Sequence, residues 1–303
     1  VDMVAFGRPL LADPYWPKKA MQGRPEDIVP CLRCLNCYHI ATDHWNVGCS
    51  VNPRYHNESF IPSEMDIGKA NPRKRVVIIG AGPAGLKAAI TASDRGHDVT
   101  LIEKKDCLGG MLKIIANEHH KEEVQRLLEY YRVQVEKRQI KVLLNTDANP
   151  KMIKQLNPDA IMIAIGAKER ILPIEGIENE KVILATDAIM NAKKLGHNVV
   201  ILGGGSIGCE IALELAEEGK NVVIIEVTDL LAANANSLYR EALRQKFLLH
   251  ENIHVLLNSS CNKIDNEQIW YKDKKGLEQT LQYDNLILST GLIPQIDLVE
   301  QFY

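Results

Sequence analysis

The hydrophobic pattern of the chain contains one long motif twice. A β-branched run at Val76 to Ile79 and another at Val199 to Leu202 are each followed by a glycine-rich turn, an Ala- and Leu-rich stretch and a second apolar run. Short apolar runs bounded by glycine are typical of buried strands, and the stretch between them has the length and composition of a helix. Each copy therefore predicts a βαβ unit with parallel strands, and the two copies together predict an α/β fold.

Weaker patterns predict further elements. Helical periodicity from Lys121 to Lys137 predicts a longer helix, and apolar runs at Lys141 to Leu144 and Ala160 to Ile165 predict two more strands. Lys272 to Lys275 has the composition of a solvated hairpin turn. Residues 30 to 73 are rich in Pro and Asn, which predicts an irregular loop and linker before the first βαβ unit.

The two turns carry glycine fingerprints of the same length. They read Gly80-Ala81-Gly82-Pro83-Ala84-Gly85 and Gly203-Gly204-Gly205-Ser206-Ile207-Gly208. In both copies an acidic residue, Glu103 or Glu226, follows the first glycine by 23 positions. In such a motif the first glycine permits the tight turn, the second lets a pyrophosphate approach the backbone, and the third lets helix and strand pack closely. Helix N-terminal amides then face the phosphates, and the acidic side chain accepts hydrogen bonds from a ribose diol. The repeated arrangement favours two bound dinucleotides over a parallel sheet whose glycine turns hold no ligand.

The residues that follow each acidic position narrow the choice of nucleotide. No Lys or Arg lies between Glu226 and Arg240 to receive a ribose 2′-phosphate, and a carboxylate would repel one. We therefore predict NADH rather than NADPH at the second site. After Glu103 a further turn, Gly109-Gly110, would let a bulkier nucleotide lie close to the backbone. This favours FAD at the first site, although the spacing alone does not separate FAD from NAD.

Four of the seven cysteines lie close together in the sequence. They are Cys31, Cys34, Cys37 and Cys49. Three cysteines at successive i, i+3 steps can wrap one side of a compact metal centre while a distal fourth closes it, which favours a [4Fe-4S] cluster. A structural zinc ion, for which His39 and His44 would be further ligands, and disulfide bonds are the alternatives. Cys107 has no cysteine near it in sequence, so the redox cysteine pair of disulfide reductases is not expected.

Composition and charge exclude several classes of protein. The 303 residues are 46% hydrophobic and 25% charged, which is enough for about two domains with ordinary cores. The net charge of -3 gives no basic surface for nucleic acid, and no apolar run is long enough to cross a bilayer. No secretory signal opens the sequence, so we predict a cytoplasmic enzyme.

The first residues add a family resemblance. Val1 to Phe6 predicts a buried strand that runs into GRPLLADP, and a tryptophan-bearing helix follows at Trp16 to Gly23. These features precede the segment EDIVPCLRCLNC, Cys49 with Val51-Asn52-Pro53, and the two fingerprints. This order of motifs resembles the multidomain NADH:flavin oxidoreductases, which include 2,4-dienoyl-CoA reductase, 2-enoate reductase and trimethylamine dehydrogenase. The resemblance covers the whole chain and implies a C-terminal part of a longer protein that lacks most of a barrel similar to old yellow enzyme.

The family plan implies a fold and a set of cofactor sites. It has an FMN-binding (β/α)8 barrel, a [4Fe-4S] cluster with Cys31, Cys34, Cys37 and Cys49 as ligands, and a half that resembles glutathione reductase. The implied fold is α/β, with two Rossmann-like, three-layer domains of the FAD/NAD(P) reductase type after a TIM-barrel end and an iron-sulfur loop. Gly7 and Arg8 match the grip on the FMN phosphate, for which a guanidinium offers fixed paired donors. The other candidate cofactor-binding residues are Gly80, Gly82, Pro83, Ala84, Gly85, Glu103, Gly109, Gly110, Gly166 and Gly291 for FAD, and Gly203, Gly205, Gly208 and Glu226 for NADH.

These anchors predict the domain boundaries. Residues 1–29 would be the last barrel strand and helix, 30–73 the cluster loop and linker, 74–185 with 290–303 the FAD domain, and 186–289 the NADH domain.

The resemblance implies an electron path from NADH through FAD and the cluster to FMN, and reduction of an activated C=C bond in a 2-enoate or dienoyl-CoA thioester. The small-molecule substrate would bind in the barrel, and no side chain of this chain would act as a catalytic acid, base or nucleophile. The alternatives are an amine dehydrogenase similar to trimethylamine dehydrogenase, against which the intact second fingerprint argues, and a non-catalytic electron-transfer or nucleotide-binding module. A homo-oligomer is a further expectation that the sequence does not decide.

Overall fold

The computed structural model describes residues 2–38 and 47–302. It divides into two compact units, the first formed by Val1–Gly166 with Gln295–Tyr303 and the second by Ala167–Pro294. Each unit is built on a parallel β-sheet, as the two βαβ patterns predict.

The first unit contains a four-stranded parallel sheet in the order β3-β2-β1-β4. Its strands are β1 (Arg75–Ile79), β2 (Asp98–Ile102), β3 (Lys141–Leu143) and β4 (Ala160–Ile163). The central strand β1 pairs with β2 from Arg75↔Asp98 to Ile79↔Ile102. Side chains of β1 are buried on both faces, because a parallel sheet is covered by helices on both sides.

Helices surround this sheet. They are α1 (Arg8–Ala12), α2 (Trp16–Met21), α3 (Pro83–Asp94), α4 (Met111–Ile115), α5 (Glu122–Lys137) and α6 (Pro150–Leu156). On one face Leu86 of α3 and Leu127 of α5 pack with Ile78. On the other face Ile153 of α6 packs with Val77 and with neighbouring strand residues. The unit therefore has three layers, and the helix predicted for Lys121 to Lys137 is confirmed.

The N-terminal helices of the first unit are held by one buried carboxylate. Asp13 is 2% exposed and accepts hydrogen bonds from Lys19 Nζ at 2.8 Å and from the backbone N–H of Val29 at 2.9 Å. These bonds tie α1 and α2 to the segment that leads into the first cysteine, Cys31. A buried ion pair of this kind adds little net stability, because the desolvation of both charges offsets their attraction.

The second unit contains a five-stranded parallel sheet in the order β6-β13-β7-β8-β9. The strands of the second unit, including those that lie outside this sheet, are β5 (Ala167–Glu169), β6 (Val182–Leu184), β7 (Asn198–Leu202), β8 (Asn221–Ile225), β9 (Ile253–Leu256), β10 (Ser260–Ile264), β11 (Gln268–Lys272), β12 (Glu278–Gln282), β13 (Asn285–Leu288) and β14 (Leu292–Pro294). Its helices are α7 (Ala185–Asn191), α8 (Ser206–Glu217) and α9 (Ser237–Phe247). The chain then returns to the first unit with α10 (Ile296–Glu300).

The remaining strands of the second unit are antiparallel. β10, β11 and β12 form a meander, whose Ile269 packs with Val200 and Leu286 of the parallel sheet. β11 ends at Lys272 and the chain turns back through Gly276, which confirms the predicted hairpin turn. β14 pairs with β5. No helix within 2–38 and 47–302 has the length and apolar character that a membrane crossing requires.

Two expectations about segment placement differ from the structure. The buried strand predicted for Val1 to Phe6 is wrong for residues 2–6, which have no regular structure and are mostly exposed. A strand needs a hydrogen-bonding neighbour, and no strand among the described residues pairs with this segment. Residues 167–185 and 290–294 group with the second unit rather than the first, because β6 pairs with β13 and β5 with β14.

Candidate functional site

The first fingerprint forms the tight turn between β1 and α3. Gly80 has a φ of +98°, and a Cβ there would lie 2.4 Å from the carbonyl oxygen of Ala164. A Cβ on Gly85 would lie 1.8 Å from the carbonyl oxygen of Gly80. Gly82 caps α3, and a Cβ on it would meet nothing within 4 Å. Packing therefore requires the outer two glycines, whereas the middle one borders open space at a helix N-terminus.

The second fingerprint repeats this geometry between β7 and α8. Gly203 has a φ of +103°, and its Cβ would lie 2.3 Å from the carbonyl oxygen of Ser289. A Cβ on Gly208 would lie 2.1 Å from the carbonyl oxygen of Gly203. Gly205 caps α8 and again borders open space. The first, second and third glycines of the fingerprint thus have the same packing environment in one unit as in the other.

The acidic residue of each motif is bonded to its own fingerprint. Glu103 is 7% exposed, and its carboxylate accepts hydrogen bonds from the backbone N–H groups of Ala81 at 2.7 Å and Lys105 at 2.9 Å. Glu226 is 9% exposed and accepts from the N–H groups of Gly204 at 2.6 Å and Thr228 at 2.8 Å. Sequence reasoning missed these bonds. A carboxylate has about four acceptor positions, so each retains capacity for a ribose hydroxyl.

The loop after Glu103 packs against the first fingerprint. The backbone N–H of Gly109 donates to the carbonyl oxygen of Ala81 at 2.9 Å. A Cβ on Gly110 would lie 2.9 Å from the Cα of Gly82. Both loop glycines have positive φ, 117° and 54°. The structure therefore places the predicted Gly109-Gly110 turn directly beside the space in front of α3.

The remaining nucleotide-site candidates lie at the ends of strands or helices. Pro83 and Ala84 occupy the first two positions of α3 and are exposed. In the first unit Gly166 has a φ of +72°, and in the second unit Gly291 has a φ of +96°. A Cβ on either glycine would meet nothing within 4 Å, so backbone conformation rather than crowding requires glycine there.

The loop after Glu226 presents hydroxyl and backbone groups near that carboxylate. The Thr228 hydroxyl donates to Glu226 at 2.9 Å. Arg240 donates through Nη1 to the carbonyl oxygens of Ala233 at 3.2 Å and Ala235 at 3.1 Å. The nearest following arginine in the sequence thus donates to the backbone of the loop that precedes α9.

The four clustered cysteines line one small cavity of the first unit. Other side chains around it are those of Arg8, Leu11 and Val51. Arg33 and Leu35, which lie between the three successive cysteines in sequence, have left-handed φ values of 53° and 58°. Burial, together with the neighbouring sulfurs of the other three cysteines, raises the pKa of Cys37. Cys49, which is distant in sequence, lines the same cavity as the other three cysteines.

The cysteines do not converge on a single point. All seven are free thiols, and Cys34 Sγ lies 3.2 Å from Ser50 Oγ. Among residues 2–38 and 47–302, no group of three or more His, Cys, Asp or Glu side chains is arranged to hold a metal ion. His39 and His44, the additional ligands of the zinc alternative, lie outside the described residues. The four cysteine sulfurs, which are the candidate cluster ligands, thus line one cavity but are not arranged around a single metal-ion position.

A larger cavity of about 570 Å³ adjoins the cysteine loop and was not foreseen from the sequence. Its lining includes Arg8, Cys31 and Arg33 from the loop side and Glu123 from α5. Arg33 and Glu123 form an ion pair of 2.6 Å. Gly7 caps the short helix α1 next to Arg8, and a Cβ there would meet nothing within 4 Å. Gly7 and Arg8, the candidate phosphate-binding pair, are both exposed, and Arg8 lines both this cavity and the small cavity of the four cysteines.

Comparison with known proteins gives the family. Residues 74–302 match the model of the pyridine nucleotide-disulphide oxidoreductases, so the match contains both fingerprints and both acidic residues. The chain belongs to this family. Membership supports FAD and NAD(H) binding by the matched region, and the parallel sheets agree with the predicted α/β fold of two Rossmann-like domains.

Relatives extend the similarity to the N-terminal segment. The chain is 34% identical to a cinnamate reductase of Clostridium sporogenes over 99% of this chain and 44% of the relative. It is 35% identical to an NADH oxidase of Thermoanaerobacter brockii over 97% of this chain and 45% of the relative. The chain thus spans less than half the length of these curated relatives. These similarities confirm the predicted relationship to the 2-enoate reductase family and support the prediction that the chain belongs to an oxidoreductase.

Solved structures show the same similarity along nearly the whole chain. A 2-naphthoyl-CoA reductase complex superimposes with a TM-score of 0.90 at 34% identity, covering 98% of this chain and 44% of that chain. Histamine dehydrogenase from Rhizobium sp. 4-9 superimposes with a TM-score of 0.88 at 22% identity, covering 100% of this chain and 46% of that chain, which shows the shared fold alone. The similarity therefore covers the cysteine loop as well as the two nucleotide units.

Proposed function

We propose that this chain is the electron-input part of an iron-sulfur flavoprotein, which takes electrons from NADH and delivers them for the reduction of an activated C=C bond. In this proposal FAD binds the first unit, NADH binds the second unit, a [4Fe-4S] cluster is held by the four clustered cysteines, and FMN is bound with Gly7 and Arg8. When bound, these groups supply two-electron transfer from NADH and one-electron transfer between flavins and cluster. The observation that carries the proposal is the repetition of one fingerprint geometry in two separate units.

The residues of each fingerprint suit a pyrophosphate. Gly82 and Gly205 leave open space at the start of two helices of twelve residues each, α3 and α8. Backbone N–H groups in the first turn of such helices are without helical partners, and the helix dipole favours an anion there. Glu103 and Glu226 fix the loops that surround this space. The chain's contribution is therefore to bind and orient the two nucleotides.

The second unit favours NADH over NADPH. The buried Glu226 carboxylate stands where a ribose diol would bind and would repel a 2′-phosphate. Arg240 is held through Nη1 by the carbonyl oxygens of Ala233 and Ala235, which ties its guanidinium to the loop before α9. Both features support the choice that the sequence predicted.

The cysteine loop suits a cluster in the chemistry and number of its donors. Four thiols line one cavity, three of them from one turn with left-handed residues at Arg33 and Leu35. Four thiolates are the ligand set of a [4Fe-4S] centre, whose four iron corners need sulfurs that surround the cube rather than meet at one ion. Zinc bound to the same thiols remains the competing proposal.

The substrate class is proposed from the relatives. The names cinnamate reductase and 2-naphthoyl-CoA reductase describe an enoate and an aromatic thioester, which favours a conjugated carboxylate or thioester here. Relatives that act on amines, such as a dimethylamine dehydrogenase of Hyphomicrobium at 26% identity, favour amine oxidation as the second candidate. In either case the substrate would bind to a part of the protein that this chain does not include. The protein would act in the cytoplasm.

The test is a spectroscopic titration. The chain is purified without oxygen, supplied with iron, sulfide and FAD, and its visible spectrum is recorded before and after one equivalent of NADH, with NADPH as the matched control. Bleaching of the flavin band with partial loss of the broad cluster absorbance, by NADH only, is the expected result. A colourless zinc-containing protein would overturn the cluster. Flavin that binds but does not respond to NADH would favour the amine dehydrogenase alternative.

A further inference from the structure

One pair of nucleophilic side chains lies outside the groups used by the proposed function. The Nζ of Lys113, on α4, donates a hydrogen bond to the Sγ of Cys107 over 3.0 Å. Cys107 is half-buried and Lys113 is exposed, so a small solute can reach both. An amine and a thiol at hydrogen-bonding distance are close enough for a bond between nitrogen and sulfur to form after only a small movement.

Charged groups flank the sulfur of Cys107. The pKa of Lys113 is raised, because its ammonium donates to the Cys107 sulfur and is attracted to the charge of that sulfur. The pKa of Asp106 is lowered, first by a hydrogen bond with Cys107 and then by the charge of Lys113. A cation beside a thiol is the surrounding in which reactive cysteines are found.

The two other scattered cysteines have different surroundings. Cys209 is 0% exposed and its Sγ donates to the carbonyl oxygen of Gly204 at 3.4 Å. Burial raises the pKa of Cys209 to about 12 and that of Cys261 to about 11. Both are expected to be inert at neutral pH, and they provide internal controls for Cys107.

We propose that Cys107 and Lys113 are a site of covalent modification, at which hydrogen peroxide converts the hydrogen-bonded pair into a sulfur–nitrogen crosslink. In the first step the sulfur attacks peroxide, an S–O bond forms, the O–O bond breaks and one water leaves, so that sulfur is oxidised by two electrons and peroxide is reduced. In the second step the amine nitrogen of Lys113 attacks the sulfenic sulfur, the S–N bond forms, the S–O bond breaks, and the oxygen leaves as a second water with a nitrogen-bound proton.

The order of these steps follows from the hydrogen bond. The ammonium of Lys113 is held by the sulfur of Cys107. Once the sulfur carries a hydroxyl it is a weaker acceptor for this ammonium, and the amine becomes easier to deprotonate. Thiols in solution would reverse the crosslink by attacking its sulfur.

The crosslink would close a loop that contains Gly109 and Gly110. Both glycines contact the first fingerprint, through Ala81 and Gly82. Oxidation would therefore fix the segment that borders the space in front of α3.

The test uses the full 303-residue chain. It is treated with hydrogen peroxide, remaining thiols are alkylated, and peptides are identified by mass spectrometry. The expected product is a peptide that contains both Cys107 and Lys113 and has not been cleaved after Lys113 by the protease used for digestion. Its mass is lower by two hydrogens than that of the unoxidised peptide, and dithiothreitol restores the unoxidised mass.

The matched variant is Lys113→Arg, which keeps the cation but replaces the amine with a guanidinium that stays protonated. It should lose the crosslink completely and give sulfinic acid at Cys107 instead, and Cys107→Ser should give neither product. Cys209 and Cys261 should remain unoxidised in all three proteins. Sulfinic acid without crosslink in the unsubstituted chain, a disulfide from Cys107, or no peroxide reaction at Cys107 would each overturn the proposal.

Discussion

The carboxylate of Glu226 accepts a hydrogen bond from the backbone N–H of Gly204, in the glycine turn of the second fingerprint, at 2.6 Å. The same relationship holds in the first unit between Glu103 and Ala81 at 2.7 Å. In both units the acidic residue directly follows one strand, and the N–H belongs to the turn after the neighbouring strand. The acidic residue that we propose binds the ribose is thus also the residue that holds the glycine turn of the fingerprint in place.

This double role gives the first prediction, which concerns Glu226→Gln. An amide has one acceptor oxygen, and its NH2 group would face an N–H of Gly204 or Thr228. Leaving a buried donor unsatisfied costs about 1–3 kcal/mol, so the free energy of unfolding should fall by that amount and NADH should bind more weakly. Denaturant unfolding and an NADH titration would measure both.

The matched control for this substitution is Glu251→Gln, which makes the same chemical change at an exposed position. It should leave unfolding and NADH affinity unchanged. Unaltered stability of Glu226→Gln would show that the two backbone bonds do not hold the loop.

Asp27 gives a prediction for acid stability of the first unit. Burial would raise its pKa, but hydrogen bonds from Lys137 and Gln134 outweigh that effect and leave the pKa below the ordinary 3.8. Because the folded pKa is lower than the unfolded one, the stabilisation is present above the unfolded value and is lost as the pH falls through the folded value, below about pH 4. Asp27→Asn should therefore destabilise the protein by about 1 kcal/mol at pH 7 and by progressively less in acid.

Melting temperatures of the unsubstituted and Asp27→Asn proteins between neutral pH and the lowest pH at which both still fold would test this. The difference between them should shrink as the pH falls. Glu267→Gln, an exposed acid in the second unit, is the control for general effects of removing a negative charge. A difference that stays constant down to the lowest pH would contradict the pKa argument.

The cysteine loop gives a prediction about metal content. Cys34→Ser removes one of the four sulfurs that line the small cavity, and it should lose most of the iron and the broad visible absorbance after reconstitution. Cys261→Ser, at a residue of the second unit that does not line that cavity, should keep both. Metal analysis and absorbance measure the outcome, and equal iron in the two variants would remove Cys34 from the ligand set.

The features that the sequence predicted well are those fixed by neighbouring residues. The roles of Gly80 and Gly203 follow from a turn that only a residue with positive φ can make, and the helix 122–137 follows from its spacing of apolar positions. The features that it missed depend on residues far apart in sequence. The strand expected at Val1 to Phe6 failed for residues 2–6 because strand formation requires a partner, and the bond from Ala81 to Glu103 requires β1 and β2 to be neighbours.

The last prediction separates folding from binding within one fingerprint. Gly85→Ala would place a Cβ 1.8 Å from the carbonyl oxygen of Gly80, so the helix must move away from β1 and the first unit should be strongly destabilised. Gly82→Ala meets nothing within 4 Å and has a φ of -72°, so the protein should fold with nearly unchanged stability. The new methyl group would instead occupy space proposed for the pyrophosphate, and FAD affinity should fall by about 10-fold or more. Thermal unfolding and flavin fluorescence quenching would measure the two properties. The pair Gly205→Ala and Gly208→Ala should behave in the same way toward NADH in the second unit, since a Cβ on Gly208 would lie 2.1 Å from the carbonyl oxygen of Gly203. Full FAD affinity in Gly82→Ala would mean that the open space in front of α3 does not hold the nucleotide.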